Sequence, residues 1–236
     1  MNTHTYYTAV GHFRRRTNGQ GQSYPVIIIN QQEYCVDIQE MALWTALNWR
    51  LLDFPQIEAE YNKLDQDCAI PAHRTLEDCL GRLCTRGLVA SGTGTTDFEA
   101  LYDLLGGLYV APLSESLPLR LATFLKLTFL KGVPFSKTRE LFRRDRPSEQ
   151  EAQVMALARQ PLAYQELLSA AELVKCAEVG VQDISTDEKL MDALYNDDTT
   201  TSDNIADMML TAKSREWVIT AIANLYLRKQ IIFQRV

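Results

Sequence analysis

The chain turns from helix to strand at a single glycine, and that junction constrains its fold more than any other stretch. Residues 74–86 place Leu76, Cys79, Leu80 and Leu83 on one face at helical spacing. Gly87 stands where a helix end calls for a left-handed residue, a conformation glycine reaches without a Cβ clash. Leu88-Val89-Ala90-Ser91 then reads as a strand, followed by a Gly92-Thr-Gly94-Thr-Thr96 loop. Upstream, the β-prone runs Val26–Ile29 and Tyr34–Val36 flank Asn30-Gln31-Gln32-Glu33 and suit a short hairpin. Asp37 with Glu40 forms a capping box that opens a helix bearing Met41, Leu43, Trp44, Leu47, Leu51 and Leu52. Asp53-Phe54-Pro55 ends that helix and starts another with Ile57, Tyr61 and Leu64 buried, proline being tolerated in the first turn.

Hairpin, three helices, strand and glycine loop resemble a winged helix-turn-helix domain over about residues 25–93. The stretch Leu80-Gly-Arg-Leu83-Cys-Thr-Arg-Gly87-Leu-Val89 carries the resemblance. The leading hairpin is also similar to the opening of the small peptide-binding winged helices called precursor-peptide recognition elements. What the resemblance implies is a DNA-binding or peptide-binding module.

Further along, Thr96 with Glu99 caps a helix holding Phe98, Leu101, Tyr102 and Leu105, before the β-prone Leu108–Ala111. Residues 117–179 read as helical throughout, and those from Leu119 to Leu130 are apolar nearly all round, as in a buried helix or an oligomer interface, until Gly132 and Pro134 end the helix. Ser148 with Glu151 caps the next helix, and Pro161 begins another with Leu162, Leu167, Leu168, Leu173 and Val174. Ser185 with Glu188, the Met208-Met209 helix, a helix at 213–229 and the strand-like Ile231–Phe233 repeat the three-helix-and-strand order. These patterns predict a mainly α chain with small β-hairpins: a flexible arm (1–24), a winged-helix-like domain (25–112), a helical middle section suited to dimerisation (113–184) and a second winged-helix-like domain (185–236).

Charge is segregated under the net −6. Residues 33–115 hold fourteen acids against five bases, whereas 120–146 hold eight bases against two acids. An acidic pI near 5.2 argues against coating nucleic acid non-specifically but allows one basic face. Five cysteines without paired spacing, and no secretion signal, fit reduced thiols in the cytoplasm. The Cys68, His73, Cys79, Cys84 stretch lacks ligand spacing for zinc, and no metal or cofactor is expected. Neither a P-loop, a G-x-S-x-G nor an H-E-x-x-H is present, and Gly92-Thr-Gly94 lacks the third glycine of a dinucleotide loop, so no enzyme is expected.

A DNA reader needs donors on an exposed helix face with bases nearby for phosphates. Helix 74–86 presents Glu77 and Asp78 where the groove would be entered. Helix 213–229 is the better reader, with Lys213, Ser214, Arg215, Thr220 and Asn224, and Arg143, Arg144 and Arg146 add a basic run. The bland reading of each is a solvated face, and Arg14-Arg15-Arg16 reads as part of a polar arm. The leading expectation is a DNA-binding transcriptional regulator that works as a homodimer. The alternative is a protein- or peptide-binding adaptor that accepts a strand at the hairpin edge around Val26–Val36, where the acidic balance suits a basic protein or peptide.

Overall fold

The computed structural model of the chain describes residues 3–71, 73–113, 147–159, 167–178 and 212–235. The first twenty-four residues are not a bare arm. They hold β1 (His4–Ala9) and β2 (His12–Thr17), with Gly11 between them. Gly11 has a φ of +85°, and a Cβ there would lie 2.5 Å from the Ile28 carbonyl oxygen, so only glycine fits the crossing. β3 (Ser23–Ile29) and β4 (Gln32–Cys35) follow, joined by Asn30 and Gln31, both with positive φ as a two-residue primed turn requires. Helices α1 (Ile38–Leu47), α2 (Phe54–Cys68) and α3 (Leu76–Thr85) lead into β5 (Val89–Gly94), α4 (Asp97–Gly106) and β6 (Tyr109–Pro112). Beyond them come α5 (Glu149–Ala158), α6 (Ala170–Glu178), α7 (Ala212–Leu227) and β7 (Ile231–Gln234).

The strands form three antiparallel sheets, β1-β5, β2-β3-β4 and β6-β7. This overturns the expectation of a mainly α chain with two winged-helix-like domains. The described residues contain seven helices and seven strands, about half helical and a quarter strand, and are mixed α/β. Two physical reasons account for the difference. β2 is exposed on both faces apart from half-buried Arg16, so it carries no alternation to read. And β7, read as the wing of a separate domain, pairs with β6 from residue Ile231 opposite Pro112 to Gln234 opposite Tyr109. One apolar cluster runs from Ala9 and Val10 through Trp44, Leu83 and Leu105 to Val218, Tyr226 and Phe233.

Local signals in the sequence decide most of the helix ends. Asp37 and Glu40 form a complete capping box, as do Ser148 and Glu151. Asp53 caps α2 against Gln56, with Pro55 in the first turn. α3 closes on Gly87 in a Schellman motif, with Leu88 N–H donating to the Leu83 carbonyl at 2.9 Å and Gly87 N–H to that of Cys84 at 3.0 Å. α1 stops at Leu47, earlier than its apolar spacing suggests, because Trp49 turns left-handed (φ +57°) and Leu52 pairs with Tyr7 of β1.

Gly92 and Gly94 have a packing role. A Cβ on Gly92 would sit 2.1 Å from the Leu104 backbone nitrogen, and one on Gly94 2.4 Å from that of Ala100, so the two glycines let α4 lie directly on β5. Among the described residues, no helix is long and apolar enough to cross a membrane.

Candidate binding surface

α7, the helix expected to read DNA, is a core element. Val218, Ile219, Ala221, Ile222, Leu225 and Tyr226 are buried against α4, α5, α6 and β7. What it shows to solvent is a narrow stripe of Glu216, Thr220 and Leu227, with Asn224 half-buried beside it. Arg215 is half-buried, and its guanidinium lies 4.5 Å from the centre of the Tyr102 ring, so its charge is spent on a cation–π contact with α4. Lys213 and Ser214 belong to the first turn of α7, and their side chains lie outside the described residues, as do Arg143, Arg144 and Arg146. The proposed reading face is thus not assembled among the described residues.

Several other basic side chains of the described residues are held by acids. Glu40, buried on α1, accepts from Arg82 Nε at 3.1 Å and Arg86 Nη1 at 2.9 Å, tying Arg82 of α3 and Arg86 at its C-cap inward. Arg74 pairs with Asp37 at 2.6 Å, and Arg228 with buried Glu151 at 2.7 Å. Arg50 and Lys63 share Glu60. Among the described residues no group of three His, Cys, Asp or Glu side chains could hold a metal ion.

The sheet β2-β3-β4 is different. β3 is its middle strand, with Val26, Ile27, Ile28 and Ile29 all buried, so the edge expected around Val26–Val36 is not on β3. Strand alternation shows which backbone groups point where. The two-residue turn makes Ile29 and Gln32 a hydrogen-bonded pair, so Ile27 also bonds Tyr34 of β4, and Val26 and Ile28 bond Arg14 and His12 of β2. At the far end Asn18 N–H donates to the Gln22 carbonyl at 2.9 Å, which continues the same alternation. The N–H and C=O groups of Phe13, Arg15 and Thr17 therefore face outward, and among the described residues nothing bonds them. Equivalent outward groups on β4 belong to Glu33 and Cys35, and the Cys35 carbonyl is already taken by Arg86 Nη2 at 2.5 Å.

The other two sheets have few such openings. Tyr7 of β1 exchanges both backbone bonds with Leu52, at 2.8 and 3.1 Å. β6 is closed by Val110 N–H to Leu168 and Ala170 N–H to Leu108. On β7, the Phe233 carbonyl accepts from Gly11 N–H and that of Ile231 from the Trp49 indole at 3.3 Å.

The open strand is also basic. Residues 1–32 contain no Asp or Glu, and Arg14, Arg15 and Arg16 are its only arginines or lysines. Arg16 Nε donates to Glu33 at 2.8 Å, and this bond holds the Glu33 carboxyl below its ordinary range. Arg14 and Arg15 are exposed and have no carboxylate partner among the described residues. Desolvation and the Arg14 charge push His12 down, so at neutral pH the arginines carry the positive charge. Phe13 is 45% and Tyr24 39% exposed, one on each face of the sheet. The Arg14–Arg16 run was visible in the sequence; that it lies on a strand edge was not. No family model, curated protein or solved structure matches the chain.

Proposed function

We propose that this chain is a non-catalytic interaction module that takes an extended peptide along the free edge of β2. One observation carries the reading: β2 is a six-residue edge strand exposed on both faces, with the backbone groups of Phe13, Arg15 and Thr17 directed outward. An extended peptide satisfies such groups by adding one more strand. A cytoplasmic setting is part of the proposal, supported by the free thiols of Cys35, Cys79, Cys84 and Cys176.

The test uses a short neutral peptide of alternating Thr and Val, followed by amide hydrogen exchange. Binding should slow exchange at Phe13, Arg15 and Thr17 and leave the inward amides of Arg14 and Arg16 as they were. Thr17→Pro removes one outward donor without touching the ladder to β3, and should weaken binding while the fold stays intact. Protection elsewhere, or unchanged binding by that variant, refutes the reading.

A DNA-binding regulator is the second reading, and the acid-free, arginine-bearing ribbon with Phe13 and Tyr24 at its surface favours it. A two-stranded ribbon enters a major groove about 12 Å wide. That mode would show itself as binding that falls steeply with salt.

A further inference from the structure

We infer that the β2 edge selects a peptide carrying two consecutive acidic residues beside an apolar one; the inference rests on strand addition at β2. The register sets the pattern. Phe13 lies opposite Ile27, which lies opposite Tyr34, and Arg15 opposite Pro25, so Phe13 and Arg15 share one face of the sheet. Arg14 lies opposite Val26 on the other face. Side chains of an added strand stand beside those of β2, face by face. The position next to Phe13 thus meets an exposed ring with Ile27 on its other side, and suits an apolar residue. The next position meets Arg14 on the opposite face, and the one after it meets Arg15. Two adjacent carboxylates, pointing to opposite faces, satisfy both: the triad runs apolar-acid-acid in a parallel strand and acid-acid-apolar in an antiparallel one.

Charge weighs against the other occupants. A second copy pairing through β2 would set arginines against arginines, which is unfavourable across an antiparallel pair. A phosphate backbone would meet only two arginines not already held by an acid in this ribbon, on a chain of net charge −6, and would leave the outward amides of Phe13, Arg15 and Thr17 without acceptors in register. Glu33 of β4 is engaged with Arg16 and does not neutralise Arg14 by contact.

The experiment compares three short peptides, identical except for a central Glu-Asp-Leu-Asp-Glu, Gln-Asn-Leu-Asn-Gln or Lys-Lys-Leu-Lys-Lys, binding to the full chain by fluorescence anisotropy. Each is symmetric about Leu, so that it presents the triad in both strand directions. Two opposite-charge cross-strand pairs should make the acidic peptide about twofold to thirtyfold tighter than its amide counterpart. In the R14E/R15E variant, with its circular dichroism unchanged, the order should invert and the lysine peptide should bind best. Equal binding of the acidic and amide peptides overturns the selection while leaving strand addition in place. Failure of all three overturns strand addition itself. Generic duplex DNA that competes with the acidic peptide, with a steep salt dependence lost in the double variant, assigns the edge to nucleic acid and overturns the inference.

Discussion

Replacing Tyr226 with phenylalanine removes one oxygen and should loosen the link between the two ends of the chain. The Tyr226 hydroxyl donates to the Ala9 carbonyl at 3.2 Å and accepts from the Trp49 backbone N–H and the Thr8 hydroxyl, each at 2.9 Å. Its ring stacks on Phe233 with centroids 4.3 Å apart, a contact the phenylalanine keeps. Thr8 has a second acceptor in the Arg50 carbonyl at 2.9 Å and stays satisfied. The Ala9 carbonyl and the Trp49 N–H do not, and each buried backbone group left without a partner costs about 1–3 kcal/mol. Trp49 is only half-buried and can recover water, so the expected loss is about 2–4 kcal/mol, a large part of a typical 5–15 kcal/mol.

Urea unfolding followed by tryptophan fluorescence and by circular dichroism measures this. The Y226F midpoint should fall with an unchanged slope, and both probes should move together, because the bond joins β1 to α7 inside one apolar cluster. Alkaline pH adds a second readout. Burial pushes the Tyr226 hydroxyl up to about 12, so the neutral phenol stabilises the fold fully below pH 10 and loses that contribution as pH rises toward 12. About 2–3 kcal/mol is at stake, so the gap between wild type and Y226F should narrow across that window. A midpoint change under about 0.5 kcal/mol, or two separate transitions of which only one moves, would refute the reasoning.

Other substitutions test the remaining joints. Glu40→Ala removes the buried carboxylate that Arg82 and Arg86 share and that completes the α1 capping box, and should cost about 2–4 kcal/mol, against less than about 1 kcal/mol for Arg82→Ala, whose side chain is 55% exposed; thermal unfolding ranks the pair. Gly92→Ala should unfold the chain or cost more than about 3 kcal/mol by driving a Cβ into Leu104, whereas Gly81→Ala, with open space around it inside α3, should stabilise by about 0.5–1 kcal/mol. Among the described thiols, exposed Cys35 should react first with a disulfide reagent in the native state. Cys79 and Cys176, both pushed up to about 11 by burial, should react only as the chain opens, and rapid labelling of either would contradict its placement.

What the sequence shows of this fold is what lies within a few residues of its cause. Asp37 with Glu40, Ser148 with Glu151 and Gly87 after Arg86 each act through bonds spanning three to five positions, and all three appear where the spacing puts them. Ser169 with Glu172 had the same signal, with Ser169 N–H donating to the carboxylate at 2.6 Å, but it sits inside a long helical-looking run and escapes notice. Pairings across the chain leave no such mark. Nothing near Ile231 says that it will lie against Pro112, and nothing near Arg215 says that Tyr102 will take its charge. The candidate site fell on the same divide: three arginines were plain to see, but a strand open on both faces has no alternation to betray it.

Arginines on an edge strand can serve simply to keep copies of the chain apart, and that role must be separated from peptide selection. The two differ in what they require. Protection depends on charge being present somewhere along the edge, whereas selection depends on which face each charge occupies. Phe13, apolar and 45% exposed on the same strand, works against protection and suits an occupant. The R14T/T17R double variant keeps the number of charges and moves one of them to the face of Phe13 and Arg15, since residues two apart share a face. Under selection, preference for adjacent carboxylates should be lost and preference for carboxylates two positions apart should replace it, with sedimentation behaviour unchanged. If the variant still binds the adjacent pair best, the register assigned to β2 is wrong. If neither wild type nor variant distinguishes the two spacings, the arginines do nothing more than hold other chains off the edge.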